Sequence, residues 1–107
     1  MMVILFRSKL TDTDPDGYAK MAAAMDAHAR TFDGYIDAKS FRAEDGERLT
    51  VVWWRDEASL KVWATDATHR VAQERGRERW YEYYKMDVAQ IVRVSNFDRQ
   101  TVEAARS

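Results

Sequence analysis

The sequence contains no cysteine, one proline and four glycines among its 107 residues. Without cysteine the chain has no disulfide, no thiol nucleophile and no thiolate ligand for a metal. Four scattered glycines do not make a glycine-rich phosphate loop, and two histidines give none of the usual metal-ligand spacings. The residues therefore predict neither a metal site nor a phosphate-binding loop.

The sequence also lacks an excess of charge of either sign and any long apolar run. Seventeen basic and eighteen acidic residues leave a net charge of −1, which gives no long-range field for nucleic acid or an anionic membrane. Arg75, Arg77 and Arg79 alternate with glutamates, which is typical of a solvated surface. The apolar run before Arg7 is far too short for a signal peptide or a membrane span. We expect a soluble, cytoplasmic protein that binds neither nucleic acid nor membrane.

Aromatic residues, in contrast, are numerous: four tryptophans, five tyrosines and four phenylalanines. Residues 51–54, VVWW, are consecutive, bulky and apolar, so a strand here has two faces that need burial. Asp56 follows as a helix N-cap, and Leu60 and Trp63 continue at helical spacing. This stretch predicts a sheet that is covered on both sides.

The elements predicted along the chain are strand, helix, strand, strand, two short helices and strand. Predicted strands are residues 2–10, 35–42, 49–54 and 80–94, and the helices begin after Asp14, Asp56 and Asp66. Asp45-Gly46 is a hairpin signal, and residues 74–79 are predicted as a helix end and an exposed loop around Gly76. This order indicates a ferredoxin-like α+β fold, a four-stranded antiparallel sheet with helices on one face.

Helices on one face leave the other apolar face of such a sheet exposed. A soluble monomer rarely exposes so large an apolar area, so we predict a homodimer in which two sheets pack face to face. The predicted domain is residues 1–94. Residues 95–107 are predicted to be a C-terminal tail, either a short helix or an arm that binds a partner.

Three segments carry a resemblance to a known family. They read FDGYIDAKSF over residues 32–41, GERLTVVWWRDEASLKVW over residues 46–63, and HRVAQ followed by GRERWYEYYKMDVAQIV over residues 69–92. Over residues 2–94 the chain resembles the antibiotic biosynthesis monooxygenase (ABM) family of dimeric α+β barrel proteins. The resemblance implies a barrel between two sheets and one pocket per subunit between helices and sheet. It specifies the fold better than the chemistry, because one scaffold hosts several functions.

Some members of that family oxygenate anthrone or quinol-type polyketides without flavin, haem or metal. A deprotonated phenol can itself pass an electron to O2, so the protein has to bind a flat ring, favour the phenolate and exclude water. We therefore predict a cofactor-independent monooxygenase that acts on O2 and an aromatic or polyketide-like small molecule.

Six residues are candidates for this site. The catalytic candidates are His69 and Trp63, and the substrate-binding candidates are Phe6, Trp54, Gln73 and Tyr83. His69 titrates near neutral pH and is the candidate base, and Gln73 lies one helical turn further on. Trp53 and Trp54 point to opposite faces of their strand, and the sequence leaves open which one faces the pocket. The same holds for Tyr81, Tyr83 and Tyr84, whereas His28 is predicted to lie on the surface.

Two alternatives remain open. The first is a non-catalytic dimer that binds a small hydrophobic ligand. The second is a haem-degrading relative, since such relatives use an asparagine, a tryptophan and an axial histidine at positions that the resemblance places at Phe6, Trp63 and Gln73. Only the tryptophan matches, and glutamine is a poor iron ligand, which leaves His69 as the alternative ligand.

Overall fold

A four-stranded antiparallel sheet and three α-helices make up the fold in the computed structural model, which describes residues 1–100. The elements are β1 Met2–Leu10, α1 Pro15–Ala29, β2 Tyr35–Arg42, β3 Arg48–Trp54, α2 Glu57–Ala64, α3 Ala67–Arg75 and β4 Tyr81–Gln90. The strands lie in the order β2-β3-β1-β4. This confirms the predicted ferredoxin-like α+β fold. The end of the predicted tail, residues 101–107, lies outside the described residues.

Three aspartates begin the three helices, as the sequence predicts. The carboxylate oxygens of Asp14, Asp56 and Asp66 accept hydrogen bonds from the backbone N–H groups of Gly17, Ser59 and His69 at 3.1, 2.8 and 2.9 Å. Each bond satisfies a donor that has no partner within the first helical turn. Gly46, with φ of 91°, makes the predicted hairpin turn that pairs β2 with β3.

The strand register decides which tryptophan faces the helices. Ile4 pairs with Val52 and Met2 with Trp54, and alternation places these side chains on one face. Trp54 is fully buried there against Leu60 and Trp63 of α2. Trp53 pairs with Val3 on the other face, which we call the open face because no helix of residues 1–100 packs on it.

The segment around Gly76 differs from its prediction. Gly76–Trp80 forms a π-helical turn between α3 and β4, and Gly76 is buried. A Cβ atom at Gly76 would lie 2.4 Å from Cε2 of Tyr81, so the glycine allows the ring to pack against the backbone. The predicted helix end is confirmed at Arg75, and residues 74, 75 and 77–79 are exposed as predicted. The prediction was wrong in expecting a loop and in expecting Gly76 itself to be exposed. The last strand also begins after Trp80 and ends at Gln90, four residues before its predicted end.

The described helices are short. The longest, α1, has 15 residues, and none of the helices within residues 1–100 has the length and apolar character needed to span a bilayer.

Candidate functional site

The Trp63 cluster, which consists of Trp63, His69, His28, Phe32 and Trp54, lies where the three helices meet above the sheet. The imidazole of His69 stacks on the indole of Trp63 with ring centroids 4.1 Å apart and planes at 19°. Trp54 stacks on the same indole at 6.2 Å, and Phe32 meets it edge-on at 5.3 Å. Trp63 is therefore held on several sides and is buried.

The backbone carbonyl of Trp63 fixes the tautomer of His69. Nδ1 of His69 lies 3.2 Å from this carbonyl oxygen, which can only accept a hydrogen bond. In the neutral imidazole the proton therefore sits on Nδ1, and Nε2 carries the lone pair, with no hydrogen-bond partner among residues 1–100. Burial lowers the pKa of His69 below its ordinary value of 6.5. At neutral pH this side chain is an uncharged proton acceptor.

His28 joins the cluster from α1, although the sequence predicted a surface position. Its Nε2 lies 2.9 Å from a carboxylate oxygen of Asp66, and its ring lies 5.7 Å from that of Trp63. The His69 backbone N–H and then His28 lower the pKa of Asp66 below its ordinary value. The surface prediction was wrong, and the available signal was helical spacing, since His28 follows Met21 and Met25 on the same stripe.

The Tyr81 cluster is a second aromatic group, formed by Phe6, Tyr18, Trp80, Tyr81 and Tyr84 at the other end of the helical layer. Tyr81 meets Phe6 at 5.6 Å, Tyr18 at 5.9 Å and Tyr84 at 5.7 Å, each edge-on. Burial raises the pKa of the Tyr81 phenol well above its ordinary value. The phenol of Tyr81 therefore stays protonated at neutral pH.

The structure places five of the six candidate residues, all but Tyr83, in or beside these clusters on the helix side of the sheet. Phe6 belongs to the Tyr81 cluster and also packs against the core that contains Trp63. Gln73 is partly buried on α3 one turn after His69, and its amide makes no hydrogen bond to the described residues. Trp63 and His69 are joined by ring stacking, whereas within residues 1–100 neither a ring contact nor a hydrogen bond joins Phe6 or Gln73 to His69.

The remaining two candidates are Trp54, inside the Trp63 cluster, and Tyr83, on the opposite side of the sheet. Trp54 is fully buried behind Trp63, so it supports that indole and lines no cavity. Tyr83 pairs with Lys9 on the open face, where its hydroxyl donates to Glu47, which also binds Arg7. The sheet separates Tyr83 from His69, because side chains of opposite parity on a strand leave the sheet on opposite sides.

A cleft of about 690 Å³ runs between α1 and α3, within the size range of small-molecule sites. Its apolar lining is Met21, Ala24, Met25, Val71, Ala72 and Trp80, and its charged lining is Asp14, Lys20, Arg75, Glu78 and Arg79. Thr68, the neighbour of His69, and Met25, which packs on the core around Trp63, also line it. Arg75 and Arg79 are exposed as predicted, but they belong to this cleft.

No group of three potential metal ligands, counting His, Asp and Glu side chains, comes together within residues 1–100. The polar groups that the cleft and the Trp63 cluster offer are therefore imidazole, hydroxyl, amide, carboxylate and basic side chains.

Comparisons with known proteins give relatives in sequence and in structure. No family model matches the chain. The uncharacterised protein YqjZ of Bacillus subtilis is 32% identical over 98 residues, which covers 92% of this chain and 85% of YqjZ. The jasmonate monooxygenase ABM of Pyricularia oryzae is 33% identical over 110 residues, which covers 97% of this chain, and the chain spans 51% of the length of that enzyme. A crystal structure of a variant of SnoaB, a cofactor-independent oxygenase from Streptomyces nogalater, superposes with a TM-score of 0.74 at 10% identity, covering 87% of this chain and 94% of SnoaB.

Proposed function

Because the chain belongs to the antibiotic biosynthesis monooxygenase (ABM) family, we propose that it is a monooxygenase that needs no added cofactor. Its substrates in this proposal are O2 and an aromatic or polyketide-like small molecule. The observation that carries the proposal is His69, a neutral imidazole with an unprotonated Nε2 that is held against Trp63. The names of two similar proteins, a jasmonate monooxygenase and a cofactor-independent oxygenase, support the same class of reaction.

In the proposed mechanism the substrate ring lies at the end of the cleft nearest to Met25 and Thr68. Nε2 of His69 accepts the proton of an acidic C–H or O–H group, and the resulting anion passes one electron to O2. The two radicals combine into a C–O bond, and the peroxide takes back a proton. Loss of water from this hydroperoxide leaves one oxygen atom as a carbonyl group on the substrate and the other in water.

The surrounding residues have supporting roles in this proposal. The apolar rings of Trp63 and Phe6 keep bulk water away from the substrate anion, so that water does not compete with the protein for hydrogen bonds to this anion. The Gln73 amide, one turn after His69 on α3, donates a hydrogen bond to a substrate oxygen. Gln73 therefore orients the substrate ring and does not itself take part in proton transfer.

The proposal includes a homodimer in the cytoplasm. Leu5 and Trp53 are partly exposed on the open face, and a second copy packed there would bury them. Analytical ultracentrifugation at micromolar concentration is expected to give a dimer, and Trp53→Glu is expected to give monomers. A wild-type protein that sediments as a stable monomer contradicts the dimer.

Haem is the cofactor used by some proteins of this fold, and the donor set of this chain does not fit it. Gln73, at the position expected for the axial ligand, is a poor iron ligand, and the cleft lining contains no histidine among the described residues. Nε2 of His69, which is the base in the proposed mechanism, is the nitrogen that would have to bind the iron. A second candidate function is non-catalytic binding of an apolar ligand, which the size of the cleft favours.

Oxygen uptake distinguishes these functions. Wild-type protein, with no added cofactor, is offered a dihydroxynaphthalene or an anthrone in parallel with His69→Ala and with Lys61→Gln, an exposed change on α2. We expect uptake by the wild type and by Lys61→Gln, and its loss in His69→Ala. Uptake no faster than the blank for every substrate contradicts the enzyme. A shifted Soret band on haemin titration that disappears in His69→Ala supports haem binding instead.

A further inference from the structure

Two ion pairs link α1 with α3 and the turn that follows α3. His28 of α1 reaches Asp66, the N-cap of α3, at 2.9 Å, and Asp14, the N-cap of α1, reaches Arg79 after α3 at 3.5 Å. The start of α1 therefore lies beside the end of α3, and the two helices run antiparallel along the cleft. This register fixes which side chains face each other across it.

Two basic side chains without a counter-ion occupy opposite walls of the cleft. Lys20 on α1 and Arg75 on α3 each lie roughly one to two helical turns from the Asp14–Arg79 ion pair. Neither forms an ion pair with any described residue. Like charges that face each other at the same level repel, and an anion placed between them removes that repulsion.

The remaining charges of the lining do not neutralise these two cations. Asp14 and Arg79 offset each other, which leaves the carboxylate of Glu78 against Lys20 and Arg75. The lining therefore carries a net charge of one positive unit. A cationic ligand is disfavoured here, and a neutral apolar ligand leaves both cations without a partner.

The rest of the lining is suited to an apolar body. Methionine and alanine side chains of α1 face valine and alanine side chains of α3, and the Trp80 ring forms one wall. The indole N–H of Trp80 is buried and has no acceptor among the described residues. The cleft thus combines an apolar surface, two unpaired cations and an unused hydrogen-bond donor.

We propose that this cleft binds a small apolar acid, with the ring or chain along the methionine side chains and the carboxylate between Lys20 and Arg75. This inference rests on the proposed function, because it names anionic molecules as the substrate class of the same site. The acid group holds the molecule at one end and directs its apolar part toward the end of the cleft that Met25 and Thr68 line.

Binding of a matched pair of probes tests the proposal without any turnover. Naphthalene-2-carboxylate and its methyl ester are titrated into the full chain at low salt, with tryptophan fluorescence and calorimetry as readouts. We expect the acid to bind about fivefold more tightly than the ester, with an advantage that shrinks as salt is added. Lys20→Met and Arg75→Met should each weaken binding of the acid by roughly threefold to tenfold and leave the affinity for the ester within about twofold of the wild type.

Two further variants locate the site. Arg70→Met removes an exposed arginine from α3 outside the cleft lining and should change neither affinity. Ala24→Trp fills the cleft and should abolish binding of both probes while circular dichroism stays that of the wild type. Equal affinity for acid and ester, or equal loss of both in the Lys20 and Arg75 variants, overturns the inference. Selective acid binding without oxygen uptake on any substrate contradicts the monooxygenase and leaves the acid site standing.

Discussion

Burial has opposite chemical consequences in the two aromatic clusters. In the Trp63 cluster it lowers the pKa of His69, so the imidazole is neutral at pH 7 and can accept a proton. In the Tyr81 cluster it raises the pKa of Tyr81, so the phenol is neutral as well but has no tendency to release its proton. Desolvation favours the uncharged form in both cases. Burial therefore keeps His69 as an uncharged proton acceptor and keeps Tyr81 as a phenol that retains its proton.

Polar contacts add to this difference. His69 is oriented by the carbonyl of Trp63 and by the N-cap of its own helix, and Asp66 links it to His28 on another helix. In the Tyr81 cluster Arg77 donates a hydrogen bond to the Tyr84 hydroxyl at 3.0 Å near the surface, and the hydroxyl groups of Tyr18 and Tyr81 interact. The polar contacts of the Trp63 cluster thus orient an imidazole that can accept a proton.

The largest expected effect is a loss of activity, and it should be much greater for a change in the Trp63 cluster than for one in the Tyr81 cluster. His69→Ala removes the proposed base and should lower kcat by about 10²–10⁴-fold, whereas Tyr81→Phe should stay within about threefold. In the wild type, kcat/KM for oxygen uptake should fall as His69 gains a proton on acidification. Because the pKa of His69 is lowered, the inflection should lie below 6.5. Equal losses of kcat in His69→Ala and Tyr81→Phe would contradict the different roles of the two clusters.

Stability should show the next largest difference. Trp63→Ala leaves a cavity inside the Trp63 cluster and should reduce the free energy of unfolding by about 3–5 kcal/mol. Phe6→Ala in the Tyr81 cluster should cost less, because Phe6 is only partly buried. Urea unfolding followed by circular dichroism measures both. A larger loss for Phe6→Ala shows that the core is centred on the other cluster.

The π-helical turn gives a smaller effect that is confined to the Tyr81 cluster. Gly76→Ala forces a methyl group into the Tyr81 ring and should reduce the free energy of unfolding by about 1–3 kcal/mol. In a Tyr81→Ala background the same change should cost less than about 1 kcal/mol, because the clash is gone. A cost that is the same in both backgrounds assigns the effect to the backbone instead of the ring.

The smallest expected effect is the pH dependence of stability in the Trp63 cluster. The pKa values of His69 and Asp66 are both lowered by folding, so the folded state binds fewer protons and loses stability on acidification. The His69 part is lost as the pH falls below about 6.5, and the Asp66 part only below its ordinary pKa of 3.8.

Asp66→Asn keeps an acceptor for the His69 backbone N–H but removes the carboxylate that titrates. The fall in melting temperature between pH 4 and pH 2.5 should therefore be smaller than in the wild type, while the fall between pH 7 and pH 5 remains. Asp12→Asn, an exposed change before α1, is the control and should follow the wild type. A wild-type pH profile in Asp66→Asn shows that the carboxylate contributes no pH-dependent stability.

The fold was largely predictable because its signals are local. Aspartates before each helix, glycine in the β2–β3 hairpin and runs of β-branched and aromatic residues act within a few positions of the chain. The error at Gly76 has the same origin, since polar neighbours predicted solvent where a long-range contact with Tyr81 decides the conformation. Trp63 was a site candidate through the family resemblance, and His69 because it follows the break between two predicted helices and titrates near neutral pH.

The sequence by itself determined where the strands and helices form and that the sheet has two apolar faces, because both follow from residue types at short spacing. Tertiary structure alone decided that Trp54 faces the helices, that His28 reaches Asp66, and that Lys20 and Arg75 line the same cleft. His28 and Asp66 are 38 positions apart, so their contact depends on how α1 packs against α3. No pattern confined to one element carries that information.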